Sequence, residues 1–291
     1  MQEAISKANV LIEALPYIRD YYGKIIVVKL GGSVMDDLAA ERELLRDVVF
    51  MNYVGMQPII VHGGGKEISR AMDEAGLEPI FVQGLRYTDD RTLAIAEHVL
   101  CGRINRRIVE TLESLGVEAI GLNSLTSCVL FADRLYLGGE PGRRIDIGYV
   151  GRIEEVNAKV LKLLCGADTI PVIAPIARDR TGGKLNVNAD TAAGEVAAAV
   201  GAEKLVMVSD THGIRTDPKD PESFRPSLDR QEIAELMRAG IIDQGMIPKV
   251  EACLRALDAG GKKAHIIDGR IAHSLLLEIF TDKGVGTQIL H

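Results

Sequence analysis

The ten residues from Lys24 to Ser33, KIIVVKLGGS, constrain the fold of this chain more than any other segment. Their β-branched apolar run fits a strand that helices cover on both faces, as in a parallel sheet. Two glycines follow, and without a Cβ they let the backbone turn sharply and approach a ligand closely. Lys29 is therefore predicted to lie at the carboxyl end of a buried strand, where open α/β sheets bind ligands. Taken alone, this turn would fit a solvated lysine equally well.

The segment from Pro58 to Lys66, PIIVHGGGK, repeats this plan and leads into a predicted helix over 66–75. Three glycines before a helix offer backbone N–H groups beside the positive end of the helix dipole, which favours an anion. The segment lacks the P-loop pattern, and the chain contains no G-x-G-x-x-G. Two glycine turns after two early strands predict one crevice that handles phosphate.

Composition narrows the class of protein. The 291 residues, 47% of them hydrophobic, can bury a large core in one domain or two. A formal net charge of −7 argues against nucleic acid as a partner, and no apolar run approaches the roughly 18 residues that span a membrane. The four cysteines lack C-x-x-C spacing and the six histidines form no metal-binding pair on a helix. We therefore expect reduced thiols, no protein metal site and a cytoplasmic location.

Strand and helix patterns alternate along the chain, which predicts an α/β fold with parallel strands between two layers of helices. Short apolar runs within 128–153 indicate β-hairpins outside the main sheet, which could act as a flap. Residues 3–15 form an apolar helical face, and Pro16 is expected to end or kink that helix.

Alternating polar residues follow a turn at 180–184, where we place a domain boundary. Asn186, Asn188 and Asp190 face one side if the chain is extended there, so they could form a polar wall of the crevice. The alternative makes Asp190 a helix N-cap and the asparagines turn formers. Pro248 suits the first turn of a helix, so Lys249 lies near a helix N-terminus and could reinforce an anion site.

Six motifs occur in the order seen in the amino acid kinase family. They are Lys29-Leu-Gly-Gly-Ser33, His62-Gly-Gly-Gly65, Gly84-Leu-Arg-Tyr-Thr88, Asn186-Val-Asn-Ala-Asp190, Ser209-Asp210 and Gly245-Met-Ile-Pro-Lys249. Nearly the whole chain resembles this family, and within it the kinases of arginine biosynthesis. The resemblance implies a three-layer αβα sandwich with a mainly parallel open sheet and a β-hairpin lid. It also implies an N-terminal kinked helix over 1–22, an amino-acid-substrate lobe over 23–183 and an ATP-binding lobe over 184–291.

The resemblance further implies transfer of a phosphoryl group from ATP to the side-chain carboxylate of N-acetyl-L-glutamate. That carboxylate, with a pKa of about 4.3, needs no general base, so catalysis needs alignment and cations. By resemblance, Lys29 and Lys249 stabilise the transferring group and Asp190 holds both lysines. Mg²⁺ would arrive with ATP, held mainly by phosphate oxygens and water.

Binding roles follow from the same motifs. The resemblance assigns the substrate to Gly64, Gly65, Arg86, Asn186 and Asn188, with Arg86 pairing in a fork with a carboxylate. It assigns the nucleotide to Gly31, Gly32, Asp210 and Gly213. Backbone amides near Gly31, Gly32, Gly64 and Gly65 would cradle the phosphates.

The helix before the first strand and the run 273–287 resemble the arginine-inhibited members of the family. This implies an allosteric arginine site of Tyr17, His273, Glu278, Gly284 and Gly286, in which Glu278 takes the guanidinium group. It also implies a homo-oligomer, a dimer that the helix links into a hexamer as a trimer of dimers, and allows a PII-type regulator. The plain alternative is a terminal helix and strand that only complete the fold.

Two other functions stay open. One is a sister kinase that acts on another acidic amino acid or derivative. The other is a catalytically silent arginine sensor that keeps the fold but transfers no phosphate. The presence of Lys29, Asp190 and Lys249 together argues against a sensor, which would have no use for these three residues.

Overall fold

The computed structural model describes residues 1–139, 144–217, 220, 223–242, 245–281 and 284–291. The helices are α1 (Gln2–Tyr21), α2 (Leu38–Tyr53), α3 (Gly65–Glu74), α4 (Asp90–Glu97), α5 (Arg106–Ser114), α6 (Ala158–Gly166), α7 (Ala189–Val200), α8 (Arg230–Arg238), α9 (Ile247–Asp258) and α10 (Ser274–Phe280). A 3-10 helix spans Gly32–Asp36, and a π-helical segment, His98–Asn105, joins α4 to α5.

The strands of the central sheet are β1 (Ile25–Leu30), β2 (Gln57–His62), β5 (Glu118–Leu122), β8 (Thr169–Ile173), β11 (Lys204–Ser209), β14 (Ser227–Leu228), β15 (Lys263–Asp268) and β16 (Thr287–Ile289). Outside it lie β3 (Phe81–Val82), β4 (Leu85–Arg86), β6 (Leu130–Gly138), β7 (Arg144–Val156), β9 (Ile176–Arg178), β10 (Lys184–Asn186), β12 (Ile214–Arg215) and β13 (Phe224–Arg225).

The central sheet has the order β14-β16-β15-β11-β1-β2-β8-β5. Its pairings are parallel except for the antiparallel pair β15–β16. β1 lies in the middle, between β2 and β11. The carboxyl ends of these three strands therefore meet at one edge of the sheet, where a crevice can form.

Two apolar clusters cover the two faces of this sheet. Val27 of β1 belongs to one cluster, together with residues of α6, α7, α8 and α9. Ile26 and Val28 belong to the other, together with residues of α2, α5, α10 and the π-helical segment. Because successive strand residues point to opposite faces, one apolar run supplies both cores. The predicted three-layer α/β fold with a mainly parallel sheet is confirmed.

The predicted hairpin region forms a second sheet. β6 and β7 pair as an antiparallel hairpin, and with β9 and β10 they make a four-stranded sheet that closes on itself. β10 pairs with β7 and β9, which precede the boundary that we place between residues 183 and 184. The central sheet likewise continues through both lobes, so the division into lobes and the role of the hairpin as a lid stay predictions.

The N-terminal helix is longer than its sequence pattern predicts. α1 continues through Pro16 to Tyr21, so proline does not end it. A proline inside a helix removes one backbone hydrogen bond, and contacts made by the residues after it can hold the following turn in place. Here Tyr17 packs against Phe280 of α10, with ring centroids 6.4 Å apart.

Candidate functional site

A cavity of about 310 Å³ lies at the carboxyl ends of β1 and β2. Residues from both predicted lobes line it. The predicted site residues among its walls are Lys29, Gly31, Gly32, Gly64, Gly65, Arg86, Asn186, Asn188 and Asp190. The two glycine turns therefore face one crevice, as their positions after neighbouring strands predict.

Asp190 joins two lysines that are distant in sequence. Its Oδ1 lies 2.7 Å from Lys29 Nζ, and its Oδ2 lies 3.1 Å from Lys249 Nζ. Asp190 is 7% exposed and Lys29 is 6% exposed. Burial of Asp190 acts to raise its pKa, but the two lysines outweigh burial and lower the pKa below its ordinary value. The carboxylate therefore stays charged and holds two ammonium groups at the cavity.

Gly31, which has no Cβ, leaves free the space that the end of the Lys29 side chain occupies. A Cβ on Gly31 would overlap Lys29 Nζ and lie 2.9 Å from Lys29 Cε. Gly32 has φ +70, and a Cβ there would lie 3.1 Å from the backbone N of Asp210. The first glycine turn thus lets Lys29 reach Asp190. It also lets the loop that follows β11 approach the loop that follows β1.

The polar residues at 186–190 line the cavity and also stabilise the structure around it. Asn188 is the N-cap of α7, and its Oδ1 accepts hydrogen bonds from the backbone N of Asp190 at 2.8 Å and of Thr191 at 3.0 Å. The alternative with Asp190 as the N-cap is therefore wrong, since Asp190 lies in the first turn. Asn186 Nδ2 donates to Thr88 Oγ1 at 3.2 Å. Capping leaves the NH₂ group of Asn188 as its donor for a ligand.

Arg86 is a buried guanidinium beside the second glycine turn. Its Nη2 donates to Gly65 O and to Ser69 Oγ, each at 2.9 Å. The guanidinium carbon lies 4.8 Å from the centroid of the Phe81 ring. These contacts position a permanent positive charge in the cavity wall, where a planar carboxylate could bind.

Three predicted site residues do not line this cavity. Lys249 reaches it through Asp190 and also donates to Gly245 O at 3.1 Å. Asp210 packs against Gly32, since a Cβ on Gly32 would lie 3.1 Å from the Asp210 backbone N and 3.2 Å from its side-chain Cγ. Gly213 has φ +112 and packs against Thr287 and Phe224, so its backbone shapes the loop after β11. A nucleotide role for Asp210 and Gly213 stays a prediction.

A second, smaller cavity of about 110 Å³ contains most of the predicted allosteric residues. Tyr17, Glu278, Gly284 and Gly286 line it. Glu278 Oε2 accepts hydrogen bonds from the backbone N of Val285 at 2.9 Å and of Gly286 at 3.2 Å. Burial acts to raise the pKa of Glu278, but His265 beside it, the backbone N–H of Val285 and the charge of Lys204 lower the pKa below its usual range. A charged carboxylate therefore faces a polar cavity.

The structure does not bring His273 into this second cavity. Its Nδ1 lies 2.7 Å from Asp47 Oδ1, on α2. His273 precedes α10 with φ +56, and its ring contacts α2. The assignment of His273 to an arginine site gains no support from this placement.

The sequence patterns missed six polar residues of the second cavity: Tyr21, Lys204, Lys263, His265, Thr281 and Gln288. Burial lowers the pKa of Lys204 to about 8. Lys204 and His265 lie at buried positions of β11 and β15. An ionisable side chain inside an apolar strand pattern is the sequence signal from which they could have been predicted. Neither strand pattern alone shows that the two residues face one cavity.

No group of three or more His, Cys, Asp or Glu side chains in the described ranges is arranged to hold a metal ion. The three carboxylates in the walls of the first cavity already pair with cations: Asp36 with Lys66 at 2.9 Å, Glu67 with Arg107 at 3.0 Å, and Asp190 with Lys29 and Lys249. This donor set fits a magnesium ion that nucleotide phosphates carry, rather than one held by a protein cage. None of the helices in the described part of the chain has the length and apolarity that crossing a membrane requires.

A model of the amino acid kinase family matches residues 24–268. The chain belongs to this family. Two relatives illustrate the similarity. The acetylglutamate kinase of Methanothrix thermoacetophila is 47% identical over 285 residues, which cover 98% of this chain and 99% of the relative. That of Methanothermobacter thermautotrophicus is 48% identical over 287 residues, covering 97% and 98%. The predicted family and the predicted kinase are confirmed.

Solved structures of the amino acid kinase fold are also similar. N-acetylglutamate synthase from Neisseria gonorrhoeae, complexed with coenzyme A and N-acetyl-glutamate, has a TM-score of 0.86 and 25% identity over 98% of this chain. This chain spans 63% of that synthase, less than two thirds of its length. A carbamate kinase from Giardia, at 18% identity and a TM-score of 0.64, shows the common fold.

Proposed function

We propose that this chain transfers the γ-phosphoryl group of ATP to the side-chain carboxylate of N-acetyl-L-glutamate, as a step of arginine biosynthesis in the cytoplasm. The observation that carries the proposal is the pair of lysines that Asp190 holds at a cavity with two glycine turns. The names of the relatives, acetylglutamate kinase at 47–48% identity over nearly the full chain, support the acceptor.

In this reaction the acceptor carboxylate attacks the γ-phosphorus in line with the leaving ADP oxygen. Both substrates are anions, so the site must offset their repulsion and the charge that builds on the transferring oxygens. Lys29 and Lys249 supply two positive charges, and Asp190 holds both of them in place. Arg86 would hold a carboxylate of the acceptor, and backbone N–H groups of Gly31, Gly32, Gly64 and Gly65 would bind phosphoryl oxygens.

Bound magnesium would neutralise part of the phosphate charge, carried mainly by the oxygens of ATP and by water. The side chains assigned above act without a general base. The acceptor is already ionised at neutral pH, since its pKa is about 4.3 in the free amino acid side chain. The site therefore accelerates the reaction by binding and orienting the two substrates.

The direct test is formation of an acyl phosphate with Mg-ATP, trapped by hydroxylamine as a hydroxamate. We expect turnover with N-acetyl-L-glutamate and little with free L-glutamate or L-aspartate, because an acetamido group offers contacts to the asparagine wall that a charged amine does not. Preference for another acidic amino acid would make the chain a sister kinase. Absence of turnover with all three, in protein that binds arginine, would favour the sensor.

We further propose that arginine inhibits this enzyme by binding in the second cavity. Its walls carry the buried, charged Glu278, which suits a guanidinium group, and the tyrosine Tyr17 of α1. A synthase of similar structure has been solved with coenzyme A and L-arginine, at a TM-score of 0.82 and 25% identity. In this proposal Glu278, Gly284 and Gly286 hold the guanidinium end, and His273, which contacts Asp47 outside the cavity, has no part.

The Glu278→Gln substitution is expected to raise the arginine concentration for half inhibition about tenfold to a hundredfold. The reason is loss of a charge-assisted hydrogen bond, worth about 1.5–3 kcal/mol. Inhibition curves with N-acetyl-L-glutamate as acceptor would measure the shift. Glu235→Gln, on the exposed side of α8, is the control and should leave the curve unchanged. An unchanged inhibition curve for Glu278→Gln would contradict the binding of arginine in this cavity.

We also propose that this chain forms a homo-oligomer. The apolar side chains Val10, Leu11, Ile12 and Leu15 of α1 are 56–67% exposed. Exposed apolar surface on one helix is typical of a contact with another protein, which here would be a second copy of the chain. A dimer linked by α1 into a hexamer, and a PII-type regulator, stay predictions.

A further inference from the structure

His62 is the last residue of β2 and stands directly before the second glycine turn. It is fully buried, with no exposed surface, and it is not among the residues that line the first cavity. A histidine at this position cannot touch a substrate in the cavity. Its contacts instead go to the backbone of the turn and to the helix beneath it.

The hydrogen bonds of His62 define which ring nitrogen carries the proton. Nδ1 lies 2.9 Å from Gly63 O, and a carbonyl oxygen only accepts, so Nδ1 is the donor. Nε2 therefore accepts, and Asn105 Nδ2 donates to it at 3.2 Å. The same Nδ2 donates to Val172 O at 2.9 Å, and Asn105 Oδ1 accepts from Asn123 Nδ2 at 3.0 Å. Burial lowers the pKa of His62 to about 4, so the ring is neutral at neutral pH.

The π-helical segment contributes a residue to this hydrogen-bond network and packs against the second glycine turn. Asn105 is its last residue, and Leu100 and Ile104 belong to the same segment. A Cβ on Gly64 would lie 2.5 Å from Ile104 Cδ1 and 2.7 Å from Leu100 Cδ2, so the turn packs closely on these side chains. The wider π-helical turn brings residues four and five positions apart to one face, and such turns are frequent at functional sites.

The orientation of one peptide follows from these contacts. In a trans peptide the C=O and the following N–H point in opposite directions, and the structure has no cis peptide bond in its described residues. His62 holds the C=O of Gly63 toward the buried side. The N–H of Gly64 then points away from His62, and Gly63, Gly64 and Gly65 all line the cavity. Among the described residues no protein acceptor takes this N–H.

We propose that His62, through its Nδ1–H, is a positioning residue that keeps the Gly63–Gly64 peptide oriented with its N–H facing the transferring phosphoryl oxygens. The proposal rests on the proposed kinase function for its ligand, and on the hydrogen bonds of His62 for its geometry. Without this donor the Gly63 carbonyl can turn into the cavity. It would then place a partial negative charge where the N–H should bind an anion.

Two substitutions separate positioning from simple core filling. In His62→Asn, the side-chain NH₂ can occupy the place of Nδ1 and still donate to Gly63 O. In His62→Gln, the longer side chain reaches the place of Nε2 and keeps the contact with Asn105 but offers no donor at Nδ1. We expect His62→Gln to lower kcat about 100-fold, the usual effect of losing one oriented donor. His62→Asn should retain most of kcat, with KM for both substrates less affected than kcat in the glutamine variant.

Core filling predicts the opposite order, since glutamine fills the space of histidine better than asparagine does. Melting temperatures of the two variants would report that effect separately. A glutamine variant as active as the wild type, or an asparagine variant that loses more kcat than the glutamine variant, would overturn the proposal.

A measurement on the wild-type protein needs no turnover. Nitrogen-15 NMR of labelled histidine should show one ring that is neutral with its proton on Nδ1, unchanged as the pH falls from 7 to about 5. Finding the proton on Nε2 would overturn the proposal even if the kinase assay succeeds. If the ring of His62 is neutral with its proton on Nδ1 but the protein has no kinase activity, the result counts against the proposed function and not against this geometry.

Discussion

Replacing Asp190 by asparagine is expected to lower kcat about 100-fold to 1,000-fold, the range found when one preorganised electrostatic group is removed. Asparagine keeps the shape of the side chain but removes the negative charge between Lys29 and Lys249. The two ammonium groups then repel each other and lose their common anchor. The binding of substrates that contact other walls should change less, so KM should change less than kcat.

The same substitution should also destabilise the fold. Lys29 is buried, and removing one partner of a buried ion pair leaves an uncompensated charge, at a cost of about 3–5 kcal/mol. Urea unfolding would measure this loss, and steady-state kinetics with the hydroxamate assay would measure kcat. A well-folded Asp190→Asn protein with kcat within tenfold of the wild type would contradict the central role that we assign to Asp190.

Glu195→Gln is a matched control for this experiment. Glu195 lies on α7, as Asp190 does, and pairs with Arg255 on α9 at 3.0 Å, as Asp190 pairs with Lys249 of the same helix. This second pair is more exposed and does not line the cavity. Exposed ion pairs contribute about 0–1 kcal/mol, so both stability and kcat should stay close to wild type.

The Gly31→Ala substitution is expected to lower kcat about 100-fold without removing any charge. The new Cβ would take the place of Lys29 Nζ, which must then leave its position beside Asp190. Gly31 has φ −161, an extended conformation that alanine also adopts, so the backbone itself is not strained. The experiment tests the position of the lysine separately from its presence.

Gly166→Ala, at the end of α6, is the control for this second experiment. A Cβ there meets no atom within 4 Å, and its backbone is helical, so kcat and stability should be unchanged. Steady-state kinetics and thermal unfolding of both variants complete the comparison. If Gly31→Ala retains kcat within threefold while the control behaves as expected, the lysine does not need the position that the structure gives it.

Local patterns were enough for much of the fold and for part of the site. The run Ile25–Leu30 with its glycines predicts a buried parallel strand, and the structure has β1 in the middle of the sheet. Lys29, Asp190 and Lys249 were assigned through motifs, and the structure brings them together although 59 residues separate the last two. Side-chain periodicity and glycine turns act over a few residues, so sequence alone can reveal them.

The remaining features depend on contacts between distant segments. His62 meets Asn105 across 43 residues, and His273 meets Asp47 across 226. Asn188, not Asp190, caps α7, and α1 continues through Pro16 to Tyr21, with Tyr17 packed on Phe280 of α10. The sequence by itself determined the alternation of strands and helices and the identity of the charged groups, since both are encoded locally. Only the tertiary structure decided which polar groups are buried together and which residues line the cavity, because burial and hydrogen-bond partners arise when distant elements pack.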